Sequence, residues 1–183
     1  MQDLALFRRK LLRNPRQISA LSPSSRALAA AMAEGLGPRT GRVAEFGPGT
    51  GRLTRAILEA GVAPADLTLF ELDGDFVEHL RQAFPGVTVH HLGADRAAEV
   101  VAPGVGAVVS GLPLLSMPAP VREAIVGAAF RLLAPGAPLI QFTYGPKPPL
   151  PPESLANLAL RVEPGRKVWR NLPPARVYRF YRA

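Results

Sequence analysis

Cysteine is absent from all 183 residues, which excludes a disulfide framework and any thiolate metal site. No His, Asp and Glu cluster with ligand spacing replaces it, so no metal is expected. The first twenty residues contain no uninterrupted apolar run followed by a cleavage site, so no secretory signal is expected. One stretch, 100–121, carries no charge and is long enough to span a bilayer, but it holds Pro103, Pro113, Pro118, Pro120 and three glycines. A spanning helix does not accommodate those residues, and the stretch reads as a buried strand and the loop leaving it. No internal repeat is present. A soluble protein is expected.

Lysine is also scarce, three residues against nineteen arginines. The net charge of +8 is unevenly distributed. Residues 1–16 balance to +4 and residues 161–183 to +6, which leaves −2 for the middle. Two basic ends around a non-basic centre suit an anionic partner, either nucleic acid or a lipid headgroup layer; solvated arginine is the plainer alternative.

Strand-like and helix-like segments alternate, which predicts an α/β sandwich around a mostly parallel sheet, one domain with a sizeable core. Helices are expected near 51–60, 74–84 and 119–133, with a weak one near 95–101. Strands are expected at Arg42-Val43-Ala44, 67–71, 87–91, 106–110 and 138–144. The run Pro146 to Pro152 reads as an extended, semi-rigid connector. Beyond it, 167–170 and 176–181 are spaced to pair through Asn171-Leu172-Pro173-Pro174. At the other end, residues 3–13 suit a short helix with Leu4, Phe7 and Leu11 on one stripe flanked by Arg8 and Lys10. Such a helix fits a membrane interface; docking onto the protein itself is the alternative. Residues 1–25 are therefore read as an amphipathic helix and cap, and 26–183 as the main domain.

The most informative stretch is Glu45-Phe46-Gly47-Pro48-Gly49-Thr50-Gly51, between a strand and a helical pattern. Glycines there let backbone approach a ligand where a Cβ would collide. Twenty residues beyond Gly51, a second strand ends in Glu71, placed to accept hydrogen bonds from ribose hydroxyls. A dinucleotide fingerprint requires a third glycine at 52, and Arg52 stands there. The pattern acidic-x-G-x-G-x-G resembles motif I of the class I methyltransferases that bind S-adenosylmethionine (SAM).

Further segments carry a closer resemblance: 110–118 (S-G-L-P-L-L-S-M-P), 141–146 (Q-F-T-Y-G-P) and 171–178 (N-L-P-P-A-R-V-Y), with Asn14-Pro15-Arg16-Gln17 and Ser22-Pro23-Ser24-Ser25. Together they resemble the small bacterial phospholipid N-methyltransferases, over nearly the whole chain. Those enzymes methylate phosphatidylethanolamine stepwise toward phosphatidylcholine, and they are akin to the rRNA adenine dimethyltransferases. The resemblance implies the Rossmann-like class I fold: a mostly parallel seven-stranded sheet, helices on both faces and N-terminal helices. It also implies a phosphatidylethanolamine substrate, an anionic membrane surface as partner, and a cytoplasmic enzyme bound peripherally to the inner face of the membrane. Nucleic acid is the less expected substrate, and rRNA adenine N6-methylation is the alternative function. An adenine N6-methyltransferase presents N-[LI]-P-[YF] after its fourth strand, the Asn for the exocyclic amine and the ring for stacking. Ser110, Leu112, Pro113 and Leu114 stand at those positions here.

By that resemblance Glu45, Gly47, Gly49 and Gly51 hold the methionine part of SAM, and Glu71, followed by Leu72, holds the ribose. Asp95 matches the adenine contact, with Ala94 intervening after Gly93 where relatives have G-D. Gln17 is similar to a glutamine laid over the cofactor, and Ser110 completes the cofactor set, with S-adenosylhomocysteine as product. Ser110 and Tyr144 are the catalytic candidates. The attacking amine must lose a proton, either to His90 or His91 or to water assisted by carbonyls near Ser110-Gly111. A methylated product gains permanent positive charge, which suits aromatic faces; Tyr144, Trp169 and Tyr178 are the candidates. Arg16, Arg122, Arg170 and Arg176 are available for the lipid phosphate.

Overall fold

A computed structural model of the chain describes residues 26–144, 147–169, 171 and 173–183. The expectations for residues 1–25, among them Arg16, Gln17 and the Leu4–Phe7–Leu11 stripe, and for Arg170 lie outside the described residues.

Seven strands form one sheet: β1 (Val43–Phe46), β2 (Leu67–Glu71), β3 (Thr88–His91), β4 (Ala107–Ser110), β5 (Leu139–Thr143), β6 (Leu160–Val168) and β7 (Ala175–Arg182). Their order across the sheet is β3-β2-β1-β4-β5-β7-β6. The first five are parallel, while β7 runs antiparallel to β5 and β6 antiparallel to β7. The centre is covered on both faces, so every residue of β1 and β4 is buried, Glu45 and Ser110 among them.

Helices α1 (Arg26–Ala33), α2 (Arg52–Glu59) and α3 (Gly74–Ala83) cover one face, burying Leu28, Met32, Leu53, Ile57, Val77 and Leu80. Helix α4 (Ala119–Leu132) and α5 (Pro152–Asn157) cover the other, packed on Phe46, Phe70, Val108 and Phe180. The mostly parallel α/β sheet with helices on both faces agrees with expectation. Asp73 caps α3, accepting from the N–H groups of Asp75 and Phe76 at 2.9 and 3.2 Å.

Three local expectations need correction. The weak helix near 95–101 is a 3₁₀ segment, Ala94–Glu99. Its buried residues Ala94 and Ala97 are three apart, the spacing that a three-residue turn brings to one side. The proline-rich connector is not extended throughout, because Pro152 opens α5 at a position where its missing N–H costs nothing. Strand β6 also begins earlier than expected, at Leu160. Among the described residues no helix is long and apolar enough to cross a membrane.

Candidate functional site

The strand order reverses direction between β1 and β4, so a crevice opens at the C-terminal ends of these strands. The loop 47–51 lines it, with Gly47, Gly49 and Gly51 at φ of 68°, 53° and 77°. The three glycines serve different purposes. A Cβ on Gly47 would meet Leu112 Cδ2 at 2.4 Å, and one on Gly51 would meet the Phe84 ring at 2.3 Å. Those two let the protein pack on itself. At Gly49 a Cβ would meet nothing within 4 Å, so only this glycine faces open space. Gly111 is a further close approach, which the motif reading did not identify: its Cβ would stand 2.7 Å from the Gly47 carbonyl oxygen.

Glu45 is fully buried at the loop's base. Thr54 donates its hydroxyl to Oε2 at 2.7 Å, while Oε1 has no hydrogen-bond partner among the described residues. Burial pushes the carboxyl up to about 8; the Thr54 bond opposes the shift, and the nearby Glu71 adds slightly to it. Thr54 was not singled out from sequence, although a polar residue between Leu53 and Ile57 on the buried stripe of α2 is a usable signal.

Glu71 closes the other side of the crevice. Its Oε2 accepts from the Gly49 N–H at 3.0 Å, and Oε1 from the N–H groups of Leu72 and Asp73 at 2.7 and 3.0 Å. Of roughly four lone-pair sites on a carboxylate, these leave about one, on Oε2. Asp95 lies half-buried in the first turn of the 3₁₀ segment, beside the buried Ala94. The loop, Glu45, Glu71, Leu72, Ala94 and Asp95 thus sit at the same end of the sheet.

The substrate and catalytic candidates are less tightly grouped. Ser110 is buried at the end of β4, and its Oγ accepts from the Leu112 N–H at 3.3 Å. Gln141, opposite Ser110 in β5, donates from Nε2 to the Leu112 carbonyl at 2.8 Å and thereby holds the loop after β4. Its Oε1 has no hydrogen-bond partner among the described residues. The Q-F-T-Y segment indicated the resemblance without revealing this role.

Tyr144 follows β5, half-buried and edge-on to Phe142 at 5.3 Å. Burial raises its phenol, opposed by a hydrogen bond with the Asn171 side chain. Tyr178 is buried on the opposite face of the sheet, because it pairs with Gln141, three residues before Tyr144. Trp169 is 70 % exposed at the end of β6. The three rings therefore do not form one cage. His90 stacks on Phe70 at 5.2 Å, and His91 Nε2 lies 2.9 Å from the Leu72 carbonyl. Both belong to β3, three strand spacings or about 14 Å from β4, which separates them from Ser110. Arg122 sits at the start of α4 with Nη1 3.4 Å from the Met117 carbonyl, and Arg176 is the second residue of β7. A cavity of about 230 Å³ lies at the other end of the sheet, lined by Arg42, Thr68, Thr88 and His90, away from this crevice. No group of three potential metal ligands occurs among the described residues.

No family model matches the chain, and no curated protein matches it by sequence. Solved structures do. A TehB-like SAM-dependent methyltransferase from Corynebacterium glutamicum superposes with a TM-score of 0.66 at 16 % identity, covering 98 % of this chain and 100 % of that one. The 1,6-didemethyltoxoflavin-N1-methyltransferase of Burkholderia thailandensis, solved with 1,6-didemethyltoxoflavin and S-adenosylhomocysteine, gives 0.72 at 14 % identity, covering 98 % and 88 %. The glycopeptide N-methyltransferase MtfA complexed with SAM gives 0.67 at 15 %, covering 87 % and 95 %. The chain thus has the Rossmann-like fold of the class I SAM-dependent methyltransferases.

Proposed function

We propose that this chain is a SAM-dependent N-methyltransferase acting on phosphatidylethanolamine and its mono- and dimethyl derivatives at an anionic membrane surface. Solved neighbours hold SAM or S-adenosylhomocysteine, and the residues present here fit such a cofactor. Open space over Gly49, the unpartnered Oε1 of buried Glu45 and the remaining acceptor site of Glu71 are three features that a ligand with an amino group and hydroxyls completes. Glu45 and the loop 47–51 would hold the methionine part, Glu71 the ribose and Asp95 the adenine.

The observation that favours a lipid amine over an adenine is Leu114. It stands where an adenine N6-methyltransferase needs a stacking ring, and it is 1 % exposed, committed to the core beside Met117 and Val121. Neither Ser110 nor Leu114 supplies the amide or the aromatic face that those positions would need.

SAM, when bound, supplies a methyl group on a sulfonium, and its transfer to an amine is a direct displacement that depends mainly on alignment. This chain's own residues provide that alignment. Gln141 fixes the Leu112 carbonyl and with it the loop 111–113, so the edge of the crevice over β4 is rigid. Carbonyls near Ser110 and Gly111 face the amine and assist its proton loss to water. Tyr144 offers an aromatic face to the cationic product, an interaction of roughly 0.5–2 kcal/mol depending on desolvation. Arg122 and Arg176, both at this end of the sheet, are the described candidates for the lipid phosphate.

The test is incubation with methyl-labelled SAM and anionic liposomes containing phosphatidylethanolamine, with structured rRNA as a parallel substrate. Label is expected in the phospholipid fraction. Label in RNA alone would overturn the proposal in favour of the adenine reading.

A further inference from the structure

Strands β6 and β7 pair Pro164 with Tyr178, and then Lys167 with Arg176. Three residues advance on β6 while two advance on β7, so one extra residue is accommodated as a bulge. The bulge changes which face β6 presents. Tyr178 belongs to the face carrying α4, and Arg176, two residues away, shares it. Lys167, directly opposite Arg176, is brought to that face as well. Two like charges directly opposite each other destabilise a sheet. Neither forms a salt bridge among the described residues. Lys167 Nζ lies instead over the ring of Trp169, 3.6 Å from its centroid.

Trp169 and Leu115 are 70 % and 54 % exposed. Both lie at the crevice end of the sheet: Leu115 in the 3₁₀ turn Leu114–Ser116 after β4, and Trp169 after β6. Between them stand the ends of β4, β5 and β7, across about 14 Å of sheet. One end of the molecule thus combines two exposed apolar side chains, an indole with a cation on its face, and a Lys–Arg pair that forms no salt bridge among the described residues. Indole rings settle at a bilayer's headgroup level, and each nearby cation gains on the order of 1 kcal/mol at an anionic surface.

We infer that Leu115, Trp169, Lys167 and Arg176 form the surface by which this chain sits on an anionic phospholipid bilayer, with the crevice mouth turned toward the headgroups. The inference rests on the lipid reading above and assigns Trp169 to the bilayer instead of to the substrate's cationic nitrogen. The surface draws on none of residues 3–13. The charge balance of +6 over residues 161–183 is the complement of an anionic leaflet.

Trp169 is the sole tryptophan, so its emission reports on this surface alone. The full chain is mixed with vesicles of phosphatidylethanolamine and phosphatidylglycerol, with and without brominated acyl chains. A blue shift and bromine quenching are expected, weakening as salt rises. Lys167→Gln should lower vesicle sedimentation roughly fivefold at low salt, and Leu115→Asp roughly tenfold. Both should leave SAM affinity and methylation of detergent-dispersed phosphatidylethanolamine unchanged. If the wild type labels dispersed lipid while Trp169 emission ignores vesicles, or both variants sediment like wild type, the inference falls and the lipid reading stands. No label in dispersed lipid overturns both. A Trp169 shift with structured RNA and none with vesicles also overturns the inference.

Discussion

Thr54 donates its hydroxyl to one oxygen of the buried Glu45 carboxyl at 2.7 Å, while the other oxygen has no partner among the described residues. A carboxyl so buried is far costlier charged than neutral, which is why its proton is held to about pH 8.

The linkage has a definite sign. The folded value of about 8 lies above the ordinary 4.5, so between them the folded state keeps a proton that the unfolded chain has released. The stabilisation is fully present below about pH 4.5 and is lost as pH rises toward 8, with a slope of at most about 1.4 kcal/mol per pH unit. Urea denaturation of wild type and Glu45→Gln at pH 5.5 and 7.5 checks this. The wild type is expected to lose stability over that interval relative to the variant, which keeps the Thr54 bond and cannot ionise.

Substitutions in the glycine loop should separate into two kinds. Gly47→Ala and Gly51→Ala drive a methyl into Leu112 and Phe84 and should lower stability by about 1–3 kcal/mol, beyond the positive-φ cost. Gly49→Ala bears only that backbone cost of about 1–2 kcal/mol, but its methyl enters the open space proposed for the cofactor. Thermal melts paired with SAM calorimetry are expected to show weakened binding in a folded Gly49→Ala. Wild-type affinity there would show the cradle to be misassigned.

Glu71→Ala is a poor test because it leaves the N–H groups of Gly49, Leu72 and Asp73 without their acceptor, at about 1–3 kcal/mol for each that stays buried. Glu71→Gln preserves the shape and one acceptor oxygen. It should melt within a few degrees of wild type and bind SAM at least tenfold more weakly.

Gln141→Leu removes the donor to the Leu112 carbonyl together with an orphan oxygen. These effects oppose each other, so stability should change by no more than about 1 kcal/mol. Turnover should nevertheless fall by on the order of tenfold or more, through misplacement of the loop after β4. SAM affinity measured by calorimetry should fall less than turnover, because this loop touches the glycine loop only where Gly111 and Leu112 pack on Gly47.

The meeting of the glycine loop and Glu71 at one end of the sheet was legible because its signals are local. Gly47, Gly49, Gly51 and Glu71 are fixed by spacing along two adjacent strand–turn–helix units, and a class I fold brings those units together. Relationships that depend on sheet register were not legible. Tyr144 and Tyr178 both stand near matching motifs, but β7 enters antiparallel beside β5, and the pairing of Gln141 with Tyr178 sends the two rings to opposite faces. The Gln141–Leu112 bond likewise joins residues 29 positions apart across neighbouring strands. The bulge after Pro164 has no sequence signature beyond Gly165, yet it decides which way Lys167 points.

The close approach of Gly111 to Gly47 has a mechanical consequence. The Gly111 N–H is bonded to the Phe46 carbonyl at 2.8 Å, and the Leu112 side chain fills the space over Gly47. The two rims of the crevice are therefore riveted at one point, with no side-chain cushion between their backbones. A displacement of a few tenths of an ångström at residue 47 has nowhere to dissipate and must carry residues 111 and 112 with it. Filling one half of the crevice thus resets the position of the other.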